Sequence, residues 1–304
     1  MINRRQFLTS TGAVAAVAAM SACASTAPPT IRLAAGETGG FYHAFAQLLA
    51  ATAARTDTLR IEPVTTAGSL SNLELLTRGE VDTALALADS VVAAAPGPLA
   101  IGRVYENYLQ LVVRADSPIQ RVADLRGTRI NLGNIGSGAT AIGEKLLRTV
   151  DLDPATAVTA THLPLRDAVT ALLDHRIDAL LWAGGVPTAA LDIPATMRLI
   201  DLADVTATMR TRFGYLYDPV LVPADAYPHT PAVHTIGVAN LLIATPTLTT
   251  STAAALTDLL VAHPDTLIPT EAAGTQFLDV RSLIDTATVP LHPGAAQVYR
   301  RWHG

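Results

Sequence analysis

The sequence predicts an α/β protein of two similar lobes that face each other across a cleft. Two observations carry this prediction. Short β-branched or apolar runs alternate with helical patterns in a βαβαβ order, which implies a parallel sheet covered by helices. The same order returns 97 residues further on, with glycines and leucines in register. Composition permits it. The 304 residues suffice for two ordinary domains, half are apolar and 15% are charged, so the chain can bury a sizeable core.

In the first copy, Ile31 to Leu33 is a short strand. Phe41 to Ala54 fits a helix with Phe45, Leu48 and Leu49 on one face. Leu59 to Val64 alternates like a strand, Ser69 to Arg78 is a helix stopped by Gly79, and Val81 to Leu87 is a buried strand. In the second copy, Thr128 to Leu132 is a strand, and Gly133-Asn134-Ile135-Gly136 opens a helix through Leu147. Val158 to Leu163 is a strand, Asp167 to His175 a helix and Ile177 to Trp182 a strand. Gly36 and Gly39 match Gly133 and Gly136, and Leu75-Leu76 matches Leu172-Leu173, each 97 residues on. Val81-Asp82 matches Ile177-Asp178 at one residue less. After Asp201 the pattern loosens, and Tyr215 to Thr235, rich in proline and tyrosine, reads as a connection. Gly237 to Ala244 is an apolar strand and Thr249 to Ala262 a long helix, which return the chain to the first lobe through a hinge. The expected division is residues 31–113 with 237–304 for lobe 1, and 114–236 for lobe 2.

In open parallel sheets, ligands sit beyond the carboxyl ends of the strands, at helix N-termini. Two such lobes set a glycine-opened helix on each wall of one cleft. Backbone N–H groups there carry partial positive charge and suit an anion.

The N-terminus carries a separate message. Arg4-Arg5 followed by Phe7-Leu8 matches a twin-arginine export signature. Gly12 to Met20 is apolar and uncharged, too short for a spanning helix, and reads as the core of a signal peptide over residues 1–22. Met20-Ser21-Ala22-Cys23 resembles a bacterial lipobox, which would lipidate Cys23 and anchor the mature chain to the membrane. Plain secretion, with cleavage near Ala22-Cys23-Ala24, is the alternative. Residues 23–30 form a tether. Cys23 is the single cysteine, so no internal disulfide forms. The net charge is −5, with no basic stripe, which argues against a nucleic-acid partner. Aromatics make up 5%, which argues against a ligand held by stacked rings.

Five motifs occur in one order: Gly39-Gly40-Phe41-Tyr42, Thr66-Ala67-Gly68-Ser69 with Asn72, Ala123-Asp124-Leu125-Arg126-Gly127, Gly136-Ser137-Gly138, and Pro290-Leu291-His292-Pro293-Gly294-Ala295. Together they resemble the TAXI solute receptors, the extracytoplasmic subunits of one class of tripartite ATP-independent periplasmic (TRAP) transporters. The resemblance runs from Ile31 to the end. It implies a two-lobed periplasmic-binding-protein (Venus-flytrap, type II-like) fold that closes on a small ligand. It implies acidic amino acids or other small carboxylates as ligands, and a TRAP membrane subunit that uses an ion gradient. The chain departs from the family at Ala67, where a second glycine is usual, and at Ala139, where a threonine is usual. Both departures fall where the ligand is expected.

The candidate ligand-binding residues follow. Gly39 and Gly40 permit close backbone approach to a ligand oxygen, or form a tight turn. Phe41 and Tyr42 start the first helix, and Tyr42 either packs in the core or reaches the ligand with its hydroxyl. Ser69, with Thr66 before it and Asn72 one turn on, gives three polar groups for the cleft, although Ser69 also reads as an N-cap. Asp89, at the end of a buried strand, binds an ammonium group or caps the next helix. Gly136, Ser137, Gly138 and Thr140 form the counterpart on the second wall, and Gly184-Gly185 a ligand-facing turn. Asp124 to Gly127 and Pro290 to Ala295 read as structural.

An enzyme is disfavoured. There is no Gly-x-Ser-x-Gly elbow and no His-Glu-x-x-His, and the cysteine is taken by the anchor. Gly136-x-Gly138-x-x-Ala141 mimics a dinucleotide fingerprint, but the ribose-binding acid expected about 20 residues on is missing. No cofactor and no metal are expected. The rival readings are the binding protein of an ATP-driven (ABC) importer and a ligand sensor for a membrane kinase.

Overall fold

The computed structural model describes residues 27–94, 97–188, 191, 196–269 and 278–303. The signal peptide, Cys23 and the first part of the tether lie outside the described residues. The chain opens as β1 (Thr30–Ala34), α1 (Phe41–Thr56), β2 (Arg60–Val64), α2 (Ser69–Thr77), β3 (Thr83–Leu87) and α3 (Ala88–Ala93). A 16-residue strand follows, β4 (Leu99–Arg114). The order then repeats as β5 (Arg129–Asn131), α4 (Gly138–Thr149), β6 (Thr159–Thr161), α5 (Leu165–Leu173) and β7 (Ala179–Gly184). β8 (Met197–Leu199), α6 (Ala203–Phe213), β9 (Asp218–Val222), β10 (Val233–Ala244), α7 (Thr250–Ala262), α8 (Val280–Leu283) and α9 (Pro293–His303) complete it.

The strands hydrogen-bond in the order β2-β1-β3-β10-β4-β7-β5-β6, with β8 beside β4 and β9 beside β10. From either outer end the sequence of strand types is the same. Three parallel strands, β2-β1-β3 or β6-β5-β7, meet one antiparallel strand, β10 or β4. The repeat has a matching local device. The Asp82 carboxylate accepts the Arg32 N–H at 2.8 Å, and the Asp178 carboxylate accepts the Arg129 N–H at 2.8 Å. Each aspartate returns its own N–H to the same arginine's carbonyl. The matched Asp therefore ties the third strand of each half to its first.

Each half has apolar cores on both faces of its sheet. Phe45, Leu49, Leu242 and Tyr299 pack beneath α1, α7 and α9, while Leu73, Leu76, Ala86 and Val91 pack beneath α2 and α3. In the second half Ile130, Ile142, Leu146 and Leu181 form one core, and Leu165, Ala168, Leu172 and Leu180 the other. Burial on both faces explains why β3 reads as an unbroken apolar run rather than an alternation.

β4 and β10 cross between the halves. β4 pairs with β10 from Leu99 to Tyr108, and with β7 from Tyr108 to Val113. Register shifts leave Val104 and Ile101 as extra residues on β4 opposite Asn240/Leu241 and Leu242/Ile243. The Pro290–Ala295 motif is structural here. Pro290 O accepts the Ala100 N–H at 2.8 Å, and the His292 N–H returns to Ala100 O at 2.8 Å, fastening the tail onto the start of β4.

Three expectations need correction. Residues 215–235 are more than a connection, because β9 and the start of β10 lie within them, and α6 precedes them. β4 was not expected at all. The second-wall helix starts at Gly138 rather than Gly133, because Gly133 and Gly136 both have φ of +85°, left-handed values that make a turn before Ser137 caps the helix.

Candidate functional site

A cavity lies between the two halves. On one wall stand Gly36, Glu37 and Gly40 to Tyr42, from the β1–α1 turn, with Ala67 to Ser69 from the start of α2. On the other stand Gly133, Asn134 and Ser137 to Ala139, from the β5–α4 turn. Leu87, Asn107, Trp182 and Ala183 complete the lining, from the ends of β3 and β7 and the middle of β4.

Two helices begin at this cavity. α1 has Gly40 as its N-cap, with no side-chain cap, and Gly40 N–H donates to Glu37 O at 3.0 Å. α4 is capped by Ser137, whose Oγ accepts the Thr140 N–H at 3.2 Å. Helix geometry leaves Phe41, Tyr42, Gly138 and Ala139 N–H without intrahelical partners. A third helix N-terminus is already engaged. Leu70 and Ser71 N–H of α2 both donate to Gly136 O, each at 3.0 Å, so one half caps a helix of the other.

The halves approach closely. A Cβ at Gly138 would meet Ser69 Oγ at 2.8 Å and collide with the Leu87 side chain. Asn134 Nδ2 donates to Glu37 Oε2 at 2.7 Å. These two residues occupy matched positions in the two copies of the repeat, 97 residues apart. Lys145 Nζ of α4 donates to Asp89 Oδ2 of α3 at 2.7 Å and to Tyr217 Oη at 2.9 Å. The lobes are therefore joined at three separate places.

Of the residues expected from sequence, Gly40, Phe41, Tyr42, Ser69, Ser137 and Gly138 line the cavity. The others stand elsewhere. Gly39 (φ +84°) sits on the turn beside the Arg166 side chain. Thr66 Oγ1 lies 2.5 Å from Ala35 O, and Asn72 Nδ2 donates to Leu85 O at 2.7 Å and Ala34 O at 3.3 Å. Those two side chains tie α2 to the sheet. Asp89 is held by Lys145 and by the Tyr217 hydroxyl, which donates to it at 2.8 Å. Thr140 Oγ1 lies 2.8 Å from Asn134 O. Gly136 gives its carbonyl to α2, Gly184 packs on the Trp182 indole, and Gly185 O accepts Gln110 Nε2 at 3.1 Å. The Tyr42 hydroxyl is also engaged, donating to Asn240 Oδ1 and lying 3.1 Å from Ser69 Oγ. Burial holds the Tyr42 phenol well above its ordinary pKa, so it stays a neutral donor.

Sequence reasoning passed over Glu37, Asn107, Asn134 and Trp182. The repeat register held a signal for Glu37 and Asn134, since each follows a matched glycine, Gly36 or Gly133. Asn107 was hidden because its strand was not expected. Trp182, with Phe41 and Tyr42, puts three aromatic rings on the cavity despite the low aromatic content. Among the lining residues Glu37 is the one charged side chain. Burial raises its pKa, partly offset by the Leu165 N–H and the Asn134 amide, and nearby Asp167 raises it further.

The model of the NMT1-like family matches residues 33–301. The model of the twin-arginine translocation pathway signal sequence matches residues 1–21, which marks the chain for export. Among solved structures, a protein from Bordetella bronchiseptica RB50 aligns with a TM-score of 0.59 at 15% identity, covering 90% of this chain and 98% of its own. The substrate-binding protein of an amino acid ABC transporter aligns with a TM-score of 0.51 at 15% identity, covering 76% of this chain and 91% of its own. The fold is the two-lobed α/β fold of periplasmic solute-binding proteins.

Proposed function

This chain belongs to the NMT1-like family, and from that premise we propose that it is the extracytoplasmic solute-binding subunit of a membrane transporter. The observation that carries the reading is the interlobe cavity, with a helix N-terminus opening onto it from each lobe. The N–H groups of Phe41 and Tyr42 on one wall, and of Gly138 and Ala139 on the other, supply donors for an anionic group. The ligand class is a small carboxylate, glutamate-like amino acids included. Lobe closure then carries recognition: the Glu37–Asn134 bond, the Gly136 cap on α2 and the Lys145–Asp89 pair form only when the halves meet.

Nothing in this function calls for catalysis, and the role is binding without a cofactor. The motif order favours a TRAP membrane subunit as the partner. The ABC importer stands as a second reading, favoured by the likeness to the binding protein of an amino acid ABC transporter. A multi-span TRAP subunit encoded beside this gene supports the first, and an ABC permease pair the second. Cys23 anchors the exported protein by a lipid, so Cys23→Ser releases it from membranes; a variant still in the membrane fraction argues against the anchor.

A thermal-shift panel of small organic acids, amino acids, sugars and cations tests the reading. Ligand that binds only the native state raises the melting temperature, by about 2.7 kcal/mol of stability at a hundredfold excess over Kd. Stabilisation by one or more acids is expected. A response confined to sugars or metal ions overturns it.

A further inference from the structure

Resting on the solute-capture reading above, we infer that Trp182 fixes how large a ligand the cleft admits, and that a buried circuit of hydrogen bonds through Thr188, Gln110 and Tyr227 positions its ring for that task.

Trp182 is the bulkiest side chain on the cavity wall. Phe41, Tyr42 and Leu87 line the cavity too, but they are buried in the apolar cores, and the Tyr42 hydroxyl is spent on Asn240. Trp182 is half-buried. It packs against the second-half core of Leu165, Leu172 and Val186 and gives its remaining surface to the cavity.

Glycines in both lobes make room for the ring. A Cβ at Gly184, on the same strand, would collide with the indole at Nε1 and stand 2.9 Å from Cε2. A Cβ at Gly40, the N-cap of α1 in the other lobe, would stand 3.7 Å from Trp182 Cη2. The indole therefore reaches from β7 across to the start of α1.

The ring is held from turning aside. Its Nε1 donates to Thr188 Oγ1 at 3.1 Å. The Thr188 hydroxyl donates to Gly185 O at 2.6 Å, and Gln110 Nε2 donates to the same carbonyl at 3.1 Å. Gln110 Oε1 accepts from the Tyr227 hydroxyl, and that hydroxyl accepts the Thr188 N–H at 3.0 Å. The circuit closes on Thr188. Each hydroxyl in it donates once and accepts once, and the Gln110 amide has a partner at both ends. Thr188, Gln110 and Tyr227 are buried, and a satisfied network in such surroundings rigidifies what it holds. Of these residues only Trp182 lines the cavity.

Size selection then acts through closure. Trp182 belongs to the second half and Gly40 to the first, so this wall is complete only when the lobes meet. An acid that fits leaves the Glu37–Asn134 bond and the Lys145–Asp89 pair intact. One that is too large meets the indole and holds the lobes apart, which forfeits both contacts.

Three homologous series test this on the purified protein by thermal shift and titration calorimetry: monocarboxylates from acetate to decanoate, dicarboxylates from malonate to sebacate, and amino diacids from L-aspartate to L-2-aminopimelate. Wild-type protein should show a best acid and a limit, with the first homologue beyond it weaker by about tenfold to a hundredfold, the discrimination that one surplus methylene gives in a shaped pocket. Trp182→Ala should bind that homologue as tightly as wild type binds its best acid, and Trp182→Phe should place the limit between the two. Thr188→Val keeps the ring but removes its acceptor, so it should blur the limit, and Thr188→Ser should restore it. If wild type binds an acid but shows no limit, or both Trp182 variants keep the wild-type limit, the inference fails while capture of an acid stands. An unchanged limit in Thr188→Val overturns the positioning role. If no acid of any series binds wild type, the anionic-ligand reading falls with it. If Trp182→Ala does not fold, Trp182→Phe decides.

Discussion

At the scale of single residues, the account turns on Glu37. Its folded-state pKa lies above the ordinary carboxylate value of 4.5, with burial the first cause. A raised carboxyl pKa means that the native state binds more protons than the unfolded chain between the two pKa values. Stability from this group is therefore greatest below pH 4.5 and is lost as pH rises through the folded pKa. The ligand-free protein should gain stability at pH 7 on Glu37→Gln. At pH 4 and below the two proteins should unfold alike as far as this residue is concerned. Melting curves at both pH values check this; a Glu37→Gln protein less stable at pH 7 would show that the Asn134 and Leu165 bonds outweigh the burial cost. Little of this was legible in the sequence. Glu37 lies between two glycine-rich motif positions and has no motif of its own. Only the fold brings it to Asn134, its partner in the repeat.

At the scale of elements, α3 and α4 meet through one ion pair across the lobes. Asp89 has a side chain 3% exposed, against 26% for Lys145, so the carboxylate is the buried member. Lys145 is also the single lysine of the chain. Removing a partner from a buried pair costs about 3–5 kcal/mol, because it leaves a charge uncompensated. Lys145→Met should fall near the lower figure, since the Tyr217 hydroxyl still donates to Asp89. Adding Asp89→Leu should restore much of the loss. Urea unfolding of the three proteins reads this directly, and a single-variant loss below about 1 kcal/mol would make the pair a surface contact in energetic terms. The elements themselves were largely visible in the sequence wherever periodicity was local, as in α1, α2 and β3. β4 was not, because a strand buried on both faces shows no alternation, and its polar residues Arg103, Glu106, Asn107 and Gln110 interrupt the apolar run. The start of α4 was misplaced because glycines suit a turn as well as a helix opening. The Thr66 and Asn72 side chains looked like ligand contacts because polar residues near a helix start serve equally to tie a helix to its sheet.

At the scale of the whole molecule, two copies of one α/β unit share a sheet through β4 and β10, and their matched turns close on one cavity. The repeat places like with like: α1 and α4 present their N-termini, and Glu37 meets Asn134. The twin-arginine signal marks this assembly for export from the cytoplasm. The central claim is that the cleft holds one small anionic molecule. Native mass spectrometry of protein purified from its own exported fraction, followed by release and identification of any bound molecule, tests it most directly. The account predicts one small organic acid per chain. A co-purified sugar or other uncharged molecule in its place would contradict it.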